Sequence, residues 1–244
     1  MNETTKSIID KVNCPHQVFT SECSGKEIQD AYLAALERGK QEGFTPILVA
    51  SDDTLEEWLG ILNDENYSKE AEIKKVVGNG KDILAQRYEE YTEDYTDDES
   101  DEMYIGEFIG NLEGGEALEE LCVFNSSSDG IIETILFEIP ASNPWETLAW
   151  VPMGGWNECP EVSEMMEVCR YWYEKYHAVP AAISHDELEF YVEKEIDDEE
   201  TAWELAKEHY AFCPDRVDQG TAEGTVGEVA DTLMQSKTWY FWWD

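Results

Sequence analysis

The sequence predicts an α+β fold, a mixed α/β arrangement of one central mixed sheet with amphipathic helices packed on it. Three observations predict it. Capping signals followed by apolar residues at helical spacing recur along the chain, as in Ser24-Gly-Lys-Glu27 ahead of Ile28, Ala31, Tyr32, Ala35 and Leu36. Short runs of strand length stand between these helices, such as Pro46-Ile-Leu-Val-Ala50 and Val179-Pro-Ala-Ala-Ile-Ser184. With 42% hydrophobic residues over 244 positions, the chain can also bury a core of ordinary size, which excludes disorder as the global state.

The elements follow in order. Gly43 stops the helix opened by Ser24, and the buried strand at 46–50 comes next. Thr54 with Glu57 caps a further helix showing Leu55, Trp58, Leu59 and Leu62; from Ser68 the pattern resumes with Ile73, Val76 and Val77. Gly78-Asn-Gly80 breaks it, and Ile83, Leu84, Arg87 and Tyr88 renew it. Residues 103–124 show only apolar pieces around 105–109 and 118–124. Residues 126–130 read as a turn, 131–139 as a strand and 148–151 as another. Pro160 stands as the first residue of a helix with the stripe Val162, Met165, Met166, Cys169, Trp172, Tyr173 and Tyr176. A strand at 179–184, a turn at His185-Asp186 and the alternating Leu188, Phe190 and Val192 make a hairpin. Asp198 with Thr201 opens a helix whose inner stripe is Ala202, Leu205, Ala206, His209 and Cys213, and Thr225 with Glu228 opens the last helix. Residues 238–243 form a strand with Trp239, Phe241 and Trp243 on one face and Tyr240 and Trp242 on the other, a loading that calls for cover on both.

Two regions result: 1–102, a helix-strand-helix unit ending in an acidic loop, and 103–244, an α/β region sharing one sheet with the first. The run Glu42-Gly-Phe-Thr-Pro46-Ile-Leu-Val-Ala, ending in Asp53-Thr-Leu55-Glu56, is echoed by Lys175 to Ser184 with Pro180, ending in Asp186-Glu-Leu188-Glu189; each follows a long amphipathic helix, and the connecting turns differ by one residue. Two diverged helix-strand units in one sheet account for the echo; with only two copies, and with different elements after the two strands, chance is the rival account.

Charge restricts the function classes. The 56 Asp and Glu against 16 Lys and Arg give a formal net charge of -40, which repels nucleic acid and anionic membranes and attracts basic proteins. Nine of those acids crowd 89–102 with no base among them; the plain account is a solvated loop, and the functional one a docking strip helped by Tyr91 and Tyr95. Calcium fits poorly, because the acids lack the spacing and central glycine of a helix-loop-helix calcium site. There is no signal-peptide pattern and no run approaching a membrane span, so the sequence reads as cytoplasmic. The cysteines at 14, 23, 122, 159, 169 and 213 have no framework spacing and read as reduced thiols. Cys14-Pro15-His16 lacks the second ligand pair that a metal finger needs.

The C-terminal motifs Pro144-Trp-Glu, Gly154-Gly-Trp-Asn-Glu-Cys-Pro160, Tyr171-Trp-Tyr-Glu-Lys-Tyr, Phe212-Cys-Pro-Asp215 with Gln219-Gly220, and Trp239-Tyr-Phe-Trp-Trp-Asp244 together resemble the bacterial domain-of-unknown-function family numbered 4253. The resemblance is dense over 144–244 and implies a bacterial cytosolic protein, with no reaction, cofactor or catalytic residue to transfer. The acidic tract at 89–102 is outside the pattern.

One corner carries candidate chemistry. His209 and Cys213 lie four apart on one helical face, a spacing that suits two metal ligands or a thiol beside a base. Cys213 ends its helix, where the dipole disfavours a thiolate. Cys159 and Asp215 join the set if the Trp156-Asn157 loop lies alongside; the plainer account is a core histidine bonded to Glu208 or Asp218 and an inert buried thiol. Asp215 and Asp218 flank Arg216 as an acid-base pair, although with acids so abundant such pairs arise by chance. The sequence thus favours a non-catalytic acidic protein-binding module, of the kind an immunity-type antagonist of a basic bacterial toxin would be, with no cofactor, no nucleic acid and no membrane. Trp156, Asn157, Cys159, His209, Cys213, Asp215, Asp218, Gln219 and Trp242 are the ligand or partner-binding candidates. The alternative is an enzyme or metal-binding protein built on the His209, Cys213 and Asp215 corner with the 156–159 loop. The oligomeric state is not legible.

Overall fold

The computed structural model describes residues 1–51, 55–126 and 130–244. Its centre is a six-stranded mixed sheet in the order β1 (His16–Phe19), β5 (Thr134–Ile139), β2 (Thr45–Ala50), β6 (Val179–Ile183), β7 (Glu187–Tyr191) and β8 (Thr238–Trp242). A separate two-stranded ribbon is formed by β3 (Asn125–Ser126) and β4 (Gly130–Ile131). In the large sheet only β2 and β6 pair in parallel, and every other neighbour is antiparallel. β5 therefore lies between two strands of the first region, and one sheet spans both.

Ten α-helices are described: α1 (Glu3–Val12), α2 (Gly25–Glu42), α3 (Glu56–Asn63), α4 (Lys69–Lys75), α5 (Gly80–Thr92), α6 (Ile105–Ile109), α7 (Val162–Tyr176), α8 (Glu199–Phe212), α9 (Asp215–Asp218) and α10 (Val226–Leu233). The caps read from the sequence are formed where they are described. Ser24 and Glu27 close a capping box on α2, Asp198 accepts from the Thr201 N–H, and Thr225 accepts from the Glu228 N–H. The Thr54 cap lies outside the described residues.

Alternation along the strands divides the core. Leu48, Ala50, Leu136 and Ala182 meet Ile28, Tyr32 and Ala35 of α2 on one face. Ile47, Val49, Ile183, Leu188 and Phe190 meet α7 and α8 on the other. The echoed segments occupy the centre: Leu48 pairs with Ala182 and Val49 with Ile183, the very residues that the echo aligns. Their preceding helices both end on a left-handed residue, Gly43 at φ 81° and His177 at φ 57°, and lie on opposite faces. In strand order and direction, a two-fold rotation about a line between β2 and β6 and parallel to them would exchange β5 with β7, β1 with β8 and one face with the other. Chain order differs between the halves, since β1 precedes its helix and β8 comes last.

Several expectations need correction. Residues 148–151 are not a strand: Pro144–Ala149 is a 3-10 helix, closed by the Thr147 hydroxyl donating to the Pro144 carbonyl at 2.7 Å. A short buried apolar run has no period to separate the two states. Pro160 precedes α7 rather than opening it, with Glu161 as the N-cap. The expected strand 131–139 is broken into β4 and β5, and residues 127–129 of the expected turn lie outside the described set. Val77 is 83% exposed, not part of a helical stripe. Its loop is pinned instead by α7: Glu167 accepts from the Val77 and Gly78 N–H groups at 3.0 and 2.7 Å, and Arg170 donates to the Val76 and Gly78 carbonyls. α1 and β1 were not anticipated.

Candidate functional site

The candidate corner is assembled where the carboxyl ends of β2, β6 and β8 lie side by side. α8 stops at Phe212, because Pro214 cannot continue it, and α9 then carries Asp215 back toward the end of β8. The loop 153–160 arrives from the other side. Gly154, Gly155 and Asn157 have φ of 90°, 80° and 45°, and a Cβ at Gly154 would stand 2.1 Å from the Pro160 carbonyl oxygen, so only glycine fits there. The Gly155 N–H donates to the Cys159 and Pro160 carbonyls at 3.2 and 3.1 Å, which closes the loop and presents Trp156 at its tip.

Most sequence-predicted residues do meet here, and they hold the last residues of the chain. Asn157 Nδ2 donates to the Asp244 carbonyl at 2.5 Å, Asp215 Oδ2 accepts from the Asp244 N–H at 3.1 Å, and Cys213 Sγ donates to the Trp242 carbonyl at 3.0 Å. Gln219 Nε2 bonds Asp215 Oδ1 at 2.6 Å. Burial pushes the Cys213 thiol up to about 12, with Asp215 adding to it. Cys159 is raised as well, first by burial and then by its neighbour Cys213, so at neutral pH both are protonated thiols, not nucleophiles. Asp218 is exposed, and desolvation followed by Asp215 raises its carboxyl.

His209 stands apart. It is fully buried, with its ring centroid 5.2 Å from Trp172, 5.0 Å from Trp239 and 4.6 Å from Phe241. Among the described residues the expected carboxylate partner is not there: neither ring nitrogen has one, and Glu208 instead accepts from the Tyr171 hydroxyl and the Trp172 indole. Burial, then the Arg216 charge, pushes its pKa well below the usual histidine value, so the ring stays neutral. Among the described residues no three His, Cys, Asp or Glu side chains converge as metal ligands, and His209, Cys213 and Cys159 are no exception. Because a buried polar ring without partners costs roughly 1–3 kcal/mol, His209→Leu is expected to raise stability by about 1 kcal/mol in urea unfolding. A loss of more than about 2 kcal/mol would show that the imidazole holds something the core needs.

The residue that sequence reasoning missed is Asp186, read only as a turn. Its Oδ1 accepts from Ser184 Oγ at 2.9 Å and contacts His185 Nδ1 at 3.0 Å, and its Oδ2 accepts from the Trp242 indole at 2.9 Å. Trp156, His185, Asp186, Trp242, Trp243 and Asp244 line a cavity of about 210 Å³. An adjoining cavity of about 190 Å³ shares Trp156 and His185 and adds Trp58, Ile61, Met153 and Gly154. Trp156, Trp203, Tyr240 and Trp242 are all half-buried, and only Trp156 and Trp242 among them line this groove. The usable signal was topological, since ligands favour the carboxyl ends of parallel strands.

A larger cleft, about 540 Å³, lies at the opposite end of β2 and β6 and includes Lys40, Phe44, Tyr173, His177, Tyr191 and Glu193. None of the predicted site residues reaches it. Its strongest charge is already answered, because Lys40 Nζ sits 2.7 Å from both Glu37 and Glu193.

Residues 135–244 match the model of a family described as a domain of unknown function (DUF4253), the family that the C-terminal motifs resemble. The matched span contains β5, the closed loop with Trp156, the Asp186 turn, His209 and β8, and leaves out the acidic tract. No curated protein and no solved structure is similar enough to the chain to match it. No helix among the described residues is long and apolar enough to cross a membrane.

Proposed function

We propose that the chain is a non-catalytic acidic module that binds a basic protein, the class to which an immunity-type antagonist of a basic bacterial toxin belongs. The acidic tract carries this reading. All nine of its acids, Glu89 to Glu102, are exposed, and none is in an ion pair among the described residues. The tract is nonetheless tied to the fold by contacts. Tyr91 and Tyr95, expected as outward anchors, instead pack inward, Tyr91 at 6.1 Å from Tyr210 and Tyr95 at 4.7 Å from Phe108. Thr96 bridges to Tyr104, and Asp98 accepts from the Ser100 N–H at 3.0 Å.

A string of like charges on a held backbone is costly in isolation and complementary to a basic face. Binding such a face relieves the repulsion, and little chain entropy remains to be lost. Elsewhere several bases are already paired with acids, as in Lys26 with Asp30, Arg38 with Glu138 and Lys175 with Glu208, and with 56 acids against 16 bases the acids dominate. Surface charge of this kind acts through association rate and salt dependence.

The test is capture of partners from the source cell at low salt and at about 0.5 M salt, followed by reconstitution with the purified partner. A basic partner is expected, and neutralising Asp97, Asp98, Glu99, Asp101 and Glu102 as amides should weaken it roughly tenfold or more near 0.15 M salt. Asn at 98 keeps the acceptor for Ser100. Only neutral or acidic partners, or an affinity indifferent to the five substitutions, would overturn the reading.

A further inference from the structure

We propose that the groove at the carboxyl ends of β2, β6 and β8, formed by Trp156, Asp186, Trp242 and Asp244, is the seat of one arginine side chain on the basic partner. This rests on the basic-partner reading and adds the place and the chemistry of its central contact.

Each cavity suits a single side chain. Cavities of about 210 and 190 Å³ are smaller than the range of roughly 300–1,000 Å³ typical of small-molecule pockets, and each accommodates one long side chain. Charge selects its sign. Among the described residues no lysine or arginine lines either cavity, whereas Asp186 and Asp244 line the first, and Glu158 and Glu161 are exposed on the adjoining loop. A single cation brought here meets the Asp186 and Asp244 carboxylates, with His185 already turned to Asp186 beside them.

The walls select the guanidinium. Trp156 and Trp242 are half-buried indoles, a surface on which a flat delocalised cation stacks better than a compact ammonium. Asp186 spends three of its roughly four acceptor positions on Ser184, His185 and Trp242, leaving one on Oδ2. The exposed Asp244 side chain adds a second carboxylate beside it, which suits a forked donor. Behind this surface, the buried Trp58 and Trp243 side chains form the floor of the groove.

The groove is also built before anything binds. The closed glycine loop fixes Trp156, the Asp186 carboxylate fixes the Trp242 indole, and the Trp243 N–H donates to the Asp186 carbonyl at 3.1 Å. Asn157, Cys213 and Asp215 hold the flanking backbone. A preformed aromatic and acidic seat loses little entropy on contact, which is the character of an interface hot spot. The corner first suspected of catalysis thereby braces the groove instead.

The experiment compares labelled pentaarginine and pentalysine by fluorescence anisotropy at about 0.05 and about 0.5 M salt. The wild type, Trp156→Ala, Asp244→Asn and the five-amide loop variant are tested, each checked for fold by near-ultraviolet circular dichroism. At the higher salt the wild type is expected to hold pentaarginine roughly tenfold more tightly than pentalysine. Trp156→Ala should abolish that preference and Asp244→Asn reduce it several-fold, while the loop variant weakens both peptides and keeps the preference. Equal affinity for the two peptides, or a preference that survives Trp156→Ala, overturns the arginine seat while leaving the basic-partner reading standing. Absence of binding by either peptide at the lower salt overturns both.

Discussion

Trp172→Ala is expected to cost about 4 kcal/mol of stability, measured as the shift in a urea or guanidinium unfolding transition. Trp172 is fully buried at the junction of α7, α8 and the C-terminal half of the sheet. Its ring lies 5.0 Å from Phe212, 5.7 Å from Trp239 edge-on, and 5.6 Å from Phe241 in a stacked arrangement. Alanine removes the burial of the whole indole and leaves a cavity among rings that belong to different elements and cannot collapse onto it together. Glu208 also loses the indole donor at 2.9 Å, although the Tyr171 hydroxyl at 2.7 Å remains.

Trp172→Phe separates the two contributions. It keeps most of the packing and deletes the hydrogen bond, so a loss of about 1–2 kcal/mol is expected. Trp150→Ala is the control. That ring is half-buried beneath Lys69 Nζ, 3.4 Å from its centroid, and its removal should cost under about 2 kcal/mol. Comparable losses at 172 and 150 would mean that the aromatic cluster is not the centre of the family-matching half.

The elements that were legible in the sequence are those whose signals are local. Ser24 with Glu27 and Gly43 delimited α2, and the alternation of Leu188, Phe190 and Val192 marked β7 and the chain just past it, because capping and strand period need only neighbouring residues. The buried stripe of α8 was equally readable, His209 included. What His209 does was not. Four-residue spacing with Cys213 placed both on one face, yet the thiol turns toward the Trp242 carbonyl and the imidazole into the aromatic core. Residues 118–124 were opaque for a related reason. They form no strand or helix, and Leu121, Val123 and Phe124 are buried only because α2 and the sheet lie beneath them. The sequence placed Glu189 among the polar members of an alternating strand, which ordinarily face water. Instead the loop covers it, and that long-range closure has no local periodicity to announce it.

That closure has a measurable consequence for pH. Glu189 is fully buried, its carboxylate accepting from the Cys122 N–H at 2.9 Å and the Val123 N–H at 3.1 Å, with the Cys122 thiol at 3.3 Å. Those donors favour the charged form, but burial outweighs them, and with Glu187 nearby the carboxyl rises to about 7 from an ordinary 4.5. Between those values the folded chain holds a proton that the unfolded chain has released, so stability contributed by Glu189 is full below about pH 4.5 and is lost as pH rises through 7. Between pH 5 and pH 8 the loss amounts to about 2.5 kcal/mol. The abundance of acids makes the whole chain less stable with rising pH through mutual repulsion, so the wild-type curve alone does not isolate Glu189. Glu189→Gln does: its carbonyl accepts from the same two N–H groups and it cannot ionise. The wild type is expected to lose about 2.5 kcal/mol relative to this variant between pH 5 and pH 8, with hydrogen exchange at Cys122 and Val123 accelerating over the same window only in the wild type. Parallel stability curves for the two proteins would place the titration elsewhere and leave the loop clasp indifferent to pH.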